Sequence, residues 1–339
     1  MLLEKRAIVI IPCRGINDYL REAVSRVLEL DYENFEILIL PDGEIKETFP
    51  KTKIISTGKI GPAQKRNLVL HDREAEILAF LDDDSYPERN WLKNAVDILA
   101  DEKIAAVCGP TLTPPDDNLY QKVSGFVWSS WLGAGGAGTY RCRVSPRREV
   151  DDYPSVNFLV KRKDFEAVGG FKSGFWPGED TELCLDLTKK LGKKIIYDPG
   201  VLVYHHRRPI FGPHLRQIAG YGLHRGYFAR VFPETSQRIG YFIPSLFILG
   251  LFSGPILVFL LRLFQFHGLA FLVLFLYFAS IAGYFSLLLL TAIKIFFKEK
   301  NFYPALLLIP AIFLTHFYYG IWFWQGFFST TLPERVVKN

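Results

Sequence analysis

Between Tyr241 and Phe328 the chain carries only five charged residues in 88: Arg262, Lys294, Lys298, Glu299 and Lys300. A bilayer core takes ~20 apolar residues per helix. Tyr241–Leu261, Leu269–Ile293 and Tyr303–Phe328 each meet that length. A helix in the core of a soluble protein shows an apolar stripe, whereas these runs are apolar all round. Pro244, Pro255 and Pro310 lie inside them, as membrane helices tolerate. Tyr318, Tyr319, Trp322 and Trp324 cluster late in the third run, where an aromatic belt would sit. Three membrane helices are expected over 241–330.

Charge sets the expected topology. The loop Lys294–Lys300 holds three Lys and one Glu, and Arg225, Arg230 and Arg238 precede the first span. The positive-inside rule puts both on the cytoplasmic face, which three spans allow. Ala7–Ile11 is only a short apolar run, so no secretion signal is read there. The expectation is a multi-pass protein of the cell membrane whose front domain faces the cytoplasm. The whole chain has 40 Lys+Arg against 35 Asp+Glu, but residues 1–240 hold 34 against 33. That near-balance argues against a nucleic-acid partner. Four cysteines without a C-x-x-C spacing give neither a zinc ribbon nor a disulfide framework.

The front part, 1–204, alternates short apolar runs with helical patterns. Strands are expected at Ala7–Ile11, Phe35–Leu40, Lys53–Ile55, Ile77–Leu81, Ile104–Cys108 and Val201–Tyr204. Helices are expected from an Asn17 or Asp18 cap to Leu30 (Tyr19, Ala23, Val27 and Leu30 sharing a face), over Gly61–His71 and over Pro87–Ala100. Such alternation predicts an α/β fold with an open, Rossmann-like, mostly parallel sheet covered on both faces. Ligands then bind beyond the carboxyl ends of its strands. No G-x-G-x-x-G follows the first strand, which disfavours a dinucleotide dehydrogenase.

Three charged constellations stand out. Asp82-Asp83-Asp84 leaves the apolar end of a strand. Like charges there repel unless a cation neutralises them. Strand alternation puts Asp82 and Asp84 on one side, a spacing that suits a hard divalent cation. A solvated acidic turn is the plainer alternative. Gly178-Glu179-Asp180 opens a helix whose Leu183, Leu187 and Leu191 share a face. These acids are either ordinary first-turn residues or a general base beneath a substrate hydroxyl. Val168-Gly-Gly-Phe171 lies between, with glycines where backbone and ligand could approach. Finally, His205–Arg238 holds six Arg and four His against Glu234 alone. Residues 205–240 read as a basic interfacial segment. Within it, His205, His206, Arg207 and Arg208 are better placed for a diphosphate or metal. Gly133–Gly138 reads as a flexible loop, and Tyr120–Tyr153 as a mobile flap on the acceptor side.

Taken in order, these motifs resemble the family 2 inverting glycosyltransferases with a GT-A fold. The residues that carry the resemblance are Ile10–Arg14, Asp42-Gly43, Gly61–Asn67, Phe80–Asp84, Val168–Phe171 and Gly178–Asp180. It implies that Pro12 and Arg14 line a nucleotide-sugar cleft, that Asp42 recognises the base, and that Lys65 and Arg66 lie near the nucleotide and its phosphates. Asp82 and Asp84 match the ends of a D-x-D motif. They would hold Mg2+ or Mn2+, completed by His205 or His206. Asp180 matches the general base, with Glu179 beside it. Trp176 is the candidate for stacking on the acceptor. No Arg-Trp follows Gln217, unlike processive synthases, and the string His205–Arg208, Gln217, Tyr221-Gly222 and Arg225-Gly226 resembles the single-addition membrane branch, similar to succinoglycan-type enzymes. That implies a UDP- or GDP-linked sugar donor, a lipid-linked or polysaccharide-precursor acceptor, and contact with membrane lipids. A polyprenyl-phosphate sugar synthase and a non-catalytic nucleotide-sugar sensor are the competing readings.

Overall fold

The computed structural model describes residues 5–71, 75–172 and 178–332. Its strands are β1 (Ala7–Pro12), β2 (Phe35–Leu40), β3 (Thr52–Ile54), β4 (Ile77–Leu81), β5 (Ser85–Pro87), β6 (Ile104–Cys108), β7 (Thr111–Leu112), β8 (Arg148–Val150), β9 (Asn157–Lys161), β10 (Lys194–Tyr197) and β11 (Val203–His205). The first helices are α1 (Asp18–Leu28), α2 (Pro62–Asn67), α3 (Trp91–Leu99), α4 (Leu119–Ser129), α5 (Trp131–Thr139), α6 (Arg162–Val168) and α7 (Glu179–Leu185). Then come α8 (Gly212–Val231), α9 (Pro233–Ser236), α10 (Ile239–Leu263), α11 (His267–Glu299) and α12 (Phe302–Phe328). The chain divides into two compact units. One is Met1–Pro114 with Tyr140–His206, the other Pro115–Thr139 with Arg207–Asn339.

The first unit is built on an eight-stranded sheet in the order β3-β2-β1-β4-β9-β6-β10-β8. Four of its seven pairings are parallel (β2 with β3, β1 with β2, β1 with β4, β6 with β10). The α/β, mostly parallel expectation therefore holds, with β9 inserted antiparallel between β4 and β6. β1 shows why the sheet is two-sided. Ala7, Val9 and Ile11 enter one core with Leu20, Val24 and Val27 of α1 and Trp91, Leu92 and Ala95 of α3. Ile8 and Ile10 enter the other, with Ala63, Phe165 and Leu183. Strand period 2 delivers alternate side chains to each face, and burial on both sides explains the unbroken β-branched run. The Asn17 side chain caps α1 by accepting from Leu20 N at 2.8 Å. Tyr19, expected on the buried face, is exposed, and Leu20 takes that place. Residues 85–87, next to a region expected to be helical from Pro87, form β5 instead. It pairs with β11 in a separate three-stranded sheet, β5-β11-β7.

The second unit is helical. α10, α11 and α12 are each long and apolar enough to cross a membrane, at boundaries a few residues wider than the sequence suggested. α11 has 33 residues, a rise of about 50 Å. That exceeds the ~30 Å hydrocarbon core and carries Lys294 and Lys298 past it. α12 is the most enclosed of the three, and α8 lies along it. Contact is close because glycines line it. A Cβ on Gly226 would run into the carbonyl of Phe323, and one on Gly326 into that of Leu223. His214 and His224 of α8 are buried within the unit, although the basic segment was read as facing lipid head groups. His214 bridges two helices, with Nδ1 2.9 Å from Ser124 Oγ of α4 and Nε2 2.9 Å from Thr315 Oγ1 of α12. Thr315 donates to Ala311 O, so His214 Nε2 must carry a proton and Nδ1 accepts from Ser124. Burial pushes the pKa of His214 down to about 4.

Residues 115–139 differ from expectation. A front domain ending at 204 would include them, yet they belong to the helical unit. Val123, Phe126 and Val127 pack with Leu288, Leu308, Ala311 and Ile312. The glycine-rich Gly133–Gly138 string is helical rather than a loop. Only Gly135 departs from helical geometry, at φ 65°.

Candidate active site

The carboxyl end of β4 sets the centre. Asp82, Asp83 and Asp84 follow it directly, and the turn is closed by Ser85. Ser85 Oγ donates to Asp82 O at 2.8 Å and lies 3.1 Å from Asp82 N. Such a hydroxyl-backed turn fixes which carboxylates face together. β11 then arrives antiparallel to β5, with His205 opposite Ser85. His206 N donates to Asp84 O at 2.9 Å. The outcome is a cluster of Asp82, Asp84 and His205 whose ligand atoms all lie within 4.8 Å of one another. His205 Nε2 is 3.1 Å from Asp84 Oδ1. Two carboxylate oxygens and one imidazole nitrogen suit Mg2+ or Mn2+. Asp83 stands outside this set. Burial, then the charges of Asp84 and Asp82, push its pKa up to about 7.

His206 was also offered as a cation ligand, and the structure places it elsewhere. Strand alternation turns it away from His205, toward α1. Its Nε2 lies 3.0 Å from Glu22 Oε2, and its ring stacks on Tyr19 at 4.4 Å between centroids.

Three consecutive residues of α2 organise the surroundings. Lys65 is buried and donates from Nζ to Cys13 O at 2.6 Å, Leu40 O at 3.1 Å and Asp42 Oδ1 at 2.5 Å. An ammonium has three donors, and all are used at the ends of β1 and β2. Lys65 therefore reaches Asp42 and the backbone, not open space where phosphates would lie. Arg66 is buried too. Nη2 donates to Asp82 Oδ1 at 2.6 Å and Nη1 to Glu179 Oε1 at 3.1 Å. Its guanidinium lies over the Phe171 ring at 5.6 Å. Asn67 donates to Phe171 O at 2.6 Å and accepts from Phe171 N at 2.9 Å. This exchange explains the glycine pair. Gly169 and Gly170 have φ of 81° and 73°, and a Cβ on Gly170 would come 2.6 Å from Asn67 Oδ1. Gly170 makes room for Asn67, and Gly169 supplies the left-handed residue that ends α6.

α7 presents Glu179 and Asp180 in its first turn. Glu179 is buried, and its carboxyl is held above the usual range by burial and then by Asp180, against the pull of Arg66. Asp180 is half-buried, accepting from Thr181 N at 2.9 Å and from Ser155 N at 3.3 Å. Sequence reading missed what steadies this turn. Thr181 Oγ1 donates to Asp152 Oδ1 at 3.0 Å. Arg141 Nη2 donates to Asp152 O at 2.7 Å. Only the spacing of Asp151-Asp152 from α7 in space, not in sequence, marks these residues.

Pro12 ends β1, buried, and Arg14 is exposed in the following loop. Arg14, Gly15 and Ile16 line one wall of a cleft of about 340 Å3, and Gly43–Glu47 line the other. Asp42 sits at its root, donating from N to Arg14 O at 3.2 Å. Arg207 and Arg208, expected beside the diphosphate, open the helical unit, Arg207 buried and Arg208 exposed. Trp176 lies outside the described residues.

Comparison with known proteins bears on the fold and the family. The model of glycosyl transferase family 2 matches residues 8–169. A pre-mycofactocin glycosyltransferase of Mycobacterium tuberculosis is 29% identical over 163 residues, covering 48% of this chain and 33% of that protein. The chain thus spans about a third of that relative's length. A glucosyl-dolichyl phosphate glucuronosyltransferase of Haloferax volcanii is 24% identical over 212 residues, covering 54% of this chain and 63% of its own. A mannosyltransferase from Pyrobaculum calidifontis, solved with GDP-Man and Mn2+, superposes with a TM-score of 0.53 at 19% identity, over 95% of this chain and 88% of that one. Residues 8–169 are thus similar to family 2 glycosyltransferases, on a GT-A-like α/β fold followed by three long apolar helices.

Proposed function

We propose that this chain is a membrane-anchored inverting glycosyltransferase. It moves a sugar from a UDP- or GDP-linked donor to the hydroxyl of a lipid-linked or polysaccharide-precursor acceptor at the cytoplasmic face. The observation that carries the reading is the convergence of Asp82, Asp84 and His205 at the carboxyl end of β4, with Arg66 joining Asp82 to the start of α7. The activities named for the relatives fit, and the glucosyl-dolichyl phosphate of the Haloferax protein's name supports a lipid-linked acceptor.

A divalent cation held by Asp82, Asp84 and His205 would supply charge neutralisation to the departing diphosphate. The chain's residues do the rest. Asp42, fixed by Lys65, accepts a hydrogen bond from the base in the cleft beside Arg14. Asp180 takes the proton of the acceptor hydroxyl as its oxygen attacks the anomeric carbon. A single in-line displacement leaves the configuration inverted. Backbone donors from Thr181 and Ser155 hold the Asp180 carboxylate in place, so its geometry is set before the substrate arrives.

Asp180→Asn tests the reading, assayed by donor binding and by nucleotide release with a polyprenyl-linked acceptor. Donor affinity should be retained while transfer falls by ~10²–10⁴-fold. Transfer equal to the wild type would remove Asp180 as the base. Nucleotide-sugar binding without any turnover in the wild type would favour a sensor.

A further inference from the structure

Arg66 is a buried cation with two carboxylate partners and no contact with solvent to spare. Its side chain is 4% exposed, Glu179's 5% and Asp82's 34%. Desolvating an arginine costs several kcal/mol unless its donors are well matched. Here the matching groups come from two elements, the acidic turn after β4 and the first turn of α7. Phe171 covers the guanidinium at 5.6 Å, and Asn67 fixes Phe171 through a two-way amide exchange. Each of the two terminal nitrogens thus has its own carboxylate partner, while Nε has none among the described residues.

One positive charge is shared between an oxygen beside the cation cluster and an oxygen next to Asp180. We propose that Arg66 is a positioning residue that couples the cation cluster to the base-bearing turn, through Asp82 on one side and Glu179 on the other. The inference rests on the glycosyltransferase reading and deepens it. When a divalent cation draws on Asp82, Arg66 leans harder on Glu179 and steadies the turn that carries Asp180. When Glu179 loses its charge, Arg66 turns wholly to Asp82 and competes with the cation. Glu179 thereby influences cation affinity without contributing a ligand atom. Lys65, its neighbour, is spent on Asp42 and the strand ends and takes no part.

A double-mutant cycle on the full-length protein in detergent tests this, with Mn2+ affinity read by titration in the absence of substrate. Glu179→Gln should weaken Mn2+ binding three- to tenfold. In an Arg66→Met background the same Glu179→Gln change should alter Mn2+ affinity by less than twofold, because the linkage is gone. Arg66→Gln, which also removes the charge but keeps polar atoms, serves the same cycle should Arg66→Met fail to fold. Arg66→Lys should also lower kcat at saturating Mn2+ while leaving donor KM within twofold. Unchanged Mn2+ affinity in Glu179→Gln, or an equal loss in both backgrounds, overturns the coupling while leaving the cation site intact. Wild-type protein that takes up no Mn2+ overturns the cation site and the coupling together.

Discussion

The family resemblance put Lys65 and Arg66 near the nucleotide and its phosphates, and lysine and arginine are among the residues least often buried. The structure shows them buried, each with its own acidic partner. The acidic side of the site was legible, because Asp82 and Asp84 end an apolar strand and strand alternation pairs them. The choice of His205 over His206 was not, since it depends on β5 and β11 meeting across more than a hundred residues. The wiring of Lys65 gives a test at this scale. Lys65→Met removes three donors and frees Asp42 from its anchor. Donor KM should rise roughly tenfold, equivalent to ~1.4 kcal/mol, with kcat much less affected. Steady-state kinetics with varied donor and fixed Mn2+ checks this. A kcat effect exceeding the KM effect would move Lys65 from donor recognition into the chemical step.

Among the elements, α2 stands out for the work done by six residues. It is too short to be stable alone, yet it touches the ends of β1 and β2, the acidic turn after β4, α7 and the Gly169-Gly170 turn. The regular strands and the apolar helices were readable from period and length, because each buries a whole face or a whole circumference. In α8 the basic residues drew the eye away from the glycines. Close packing on α12 is a matter of the missing side chains of Gly222, Gly226 and Gly326, and absence leaves little mark on a charge pattern. Gly326→Ala should therefore cost about 1–3 kcal/mol through overpacking. It should appear as a lower unfolding temperature in detergent. Gly283→Ala in α11, where a Cβ meets nothing within 4 Å, should be neutral or mildly stabilising by helix propensity. Equal behaviour of the two variants would argue against the α8–α12 contact.

At the scale of the whole molecule, the positive-inside rule predicts that the front domain and the loop after α11 share one face of the membrane. An impermeant maleimide should label Phe266→Cys in intact cells and Phe302→Cys only after permeabilisation. The reverse pattern would turn the protein over. The connectivity has a practical corollary as well. The polypeptide passes from the sheet-based unit to the helical one at 114–115, returns at 139–140 and leaves again at 206–207. A fragment cut after His206 would keep α4 and α5 but shed Ile210, Leu288, Leu308, Ala311 and Ile312, against which Val123, Phe126 and Val127 pack. Such a trimmed protein would show a sticky apolar flank, so a soluble version of this protein calls for redesigning α4 and α5 and not merely removing the tail.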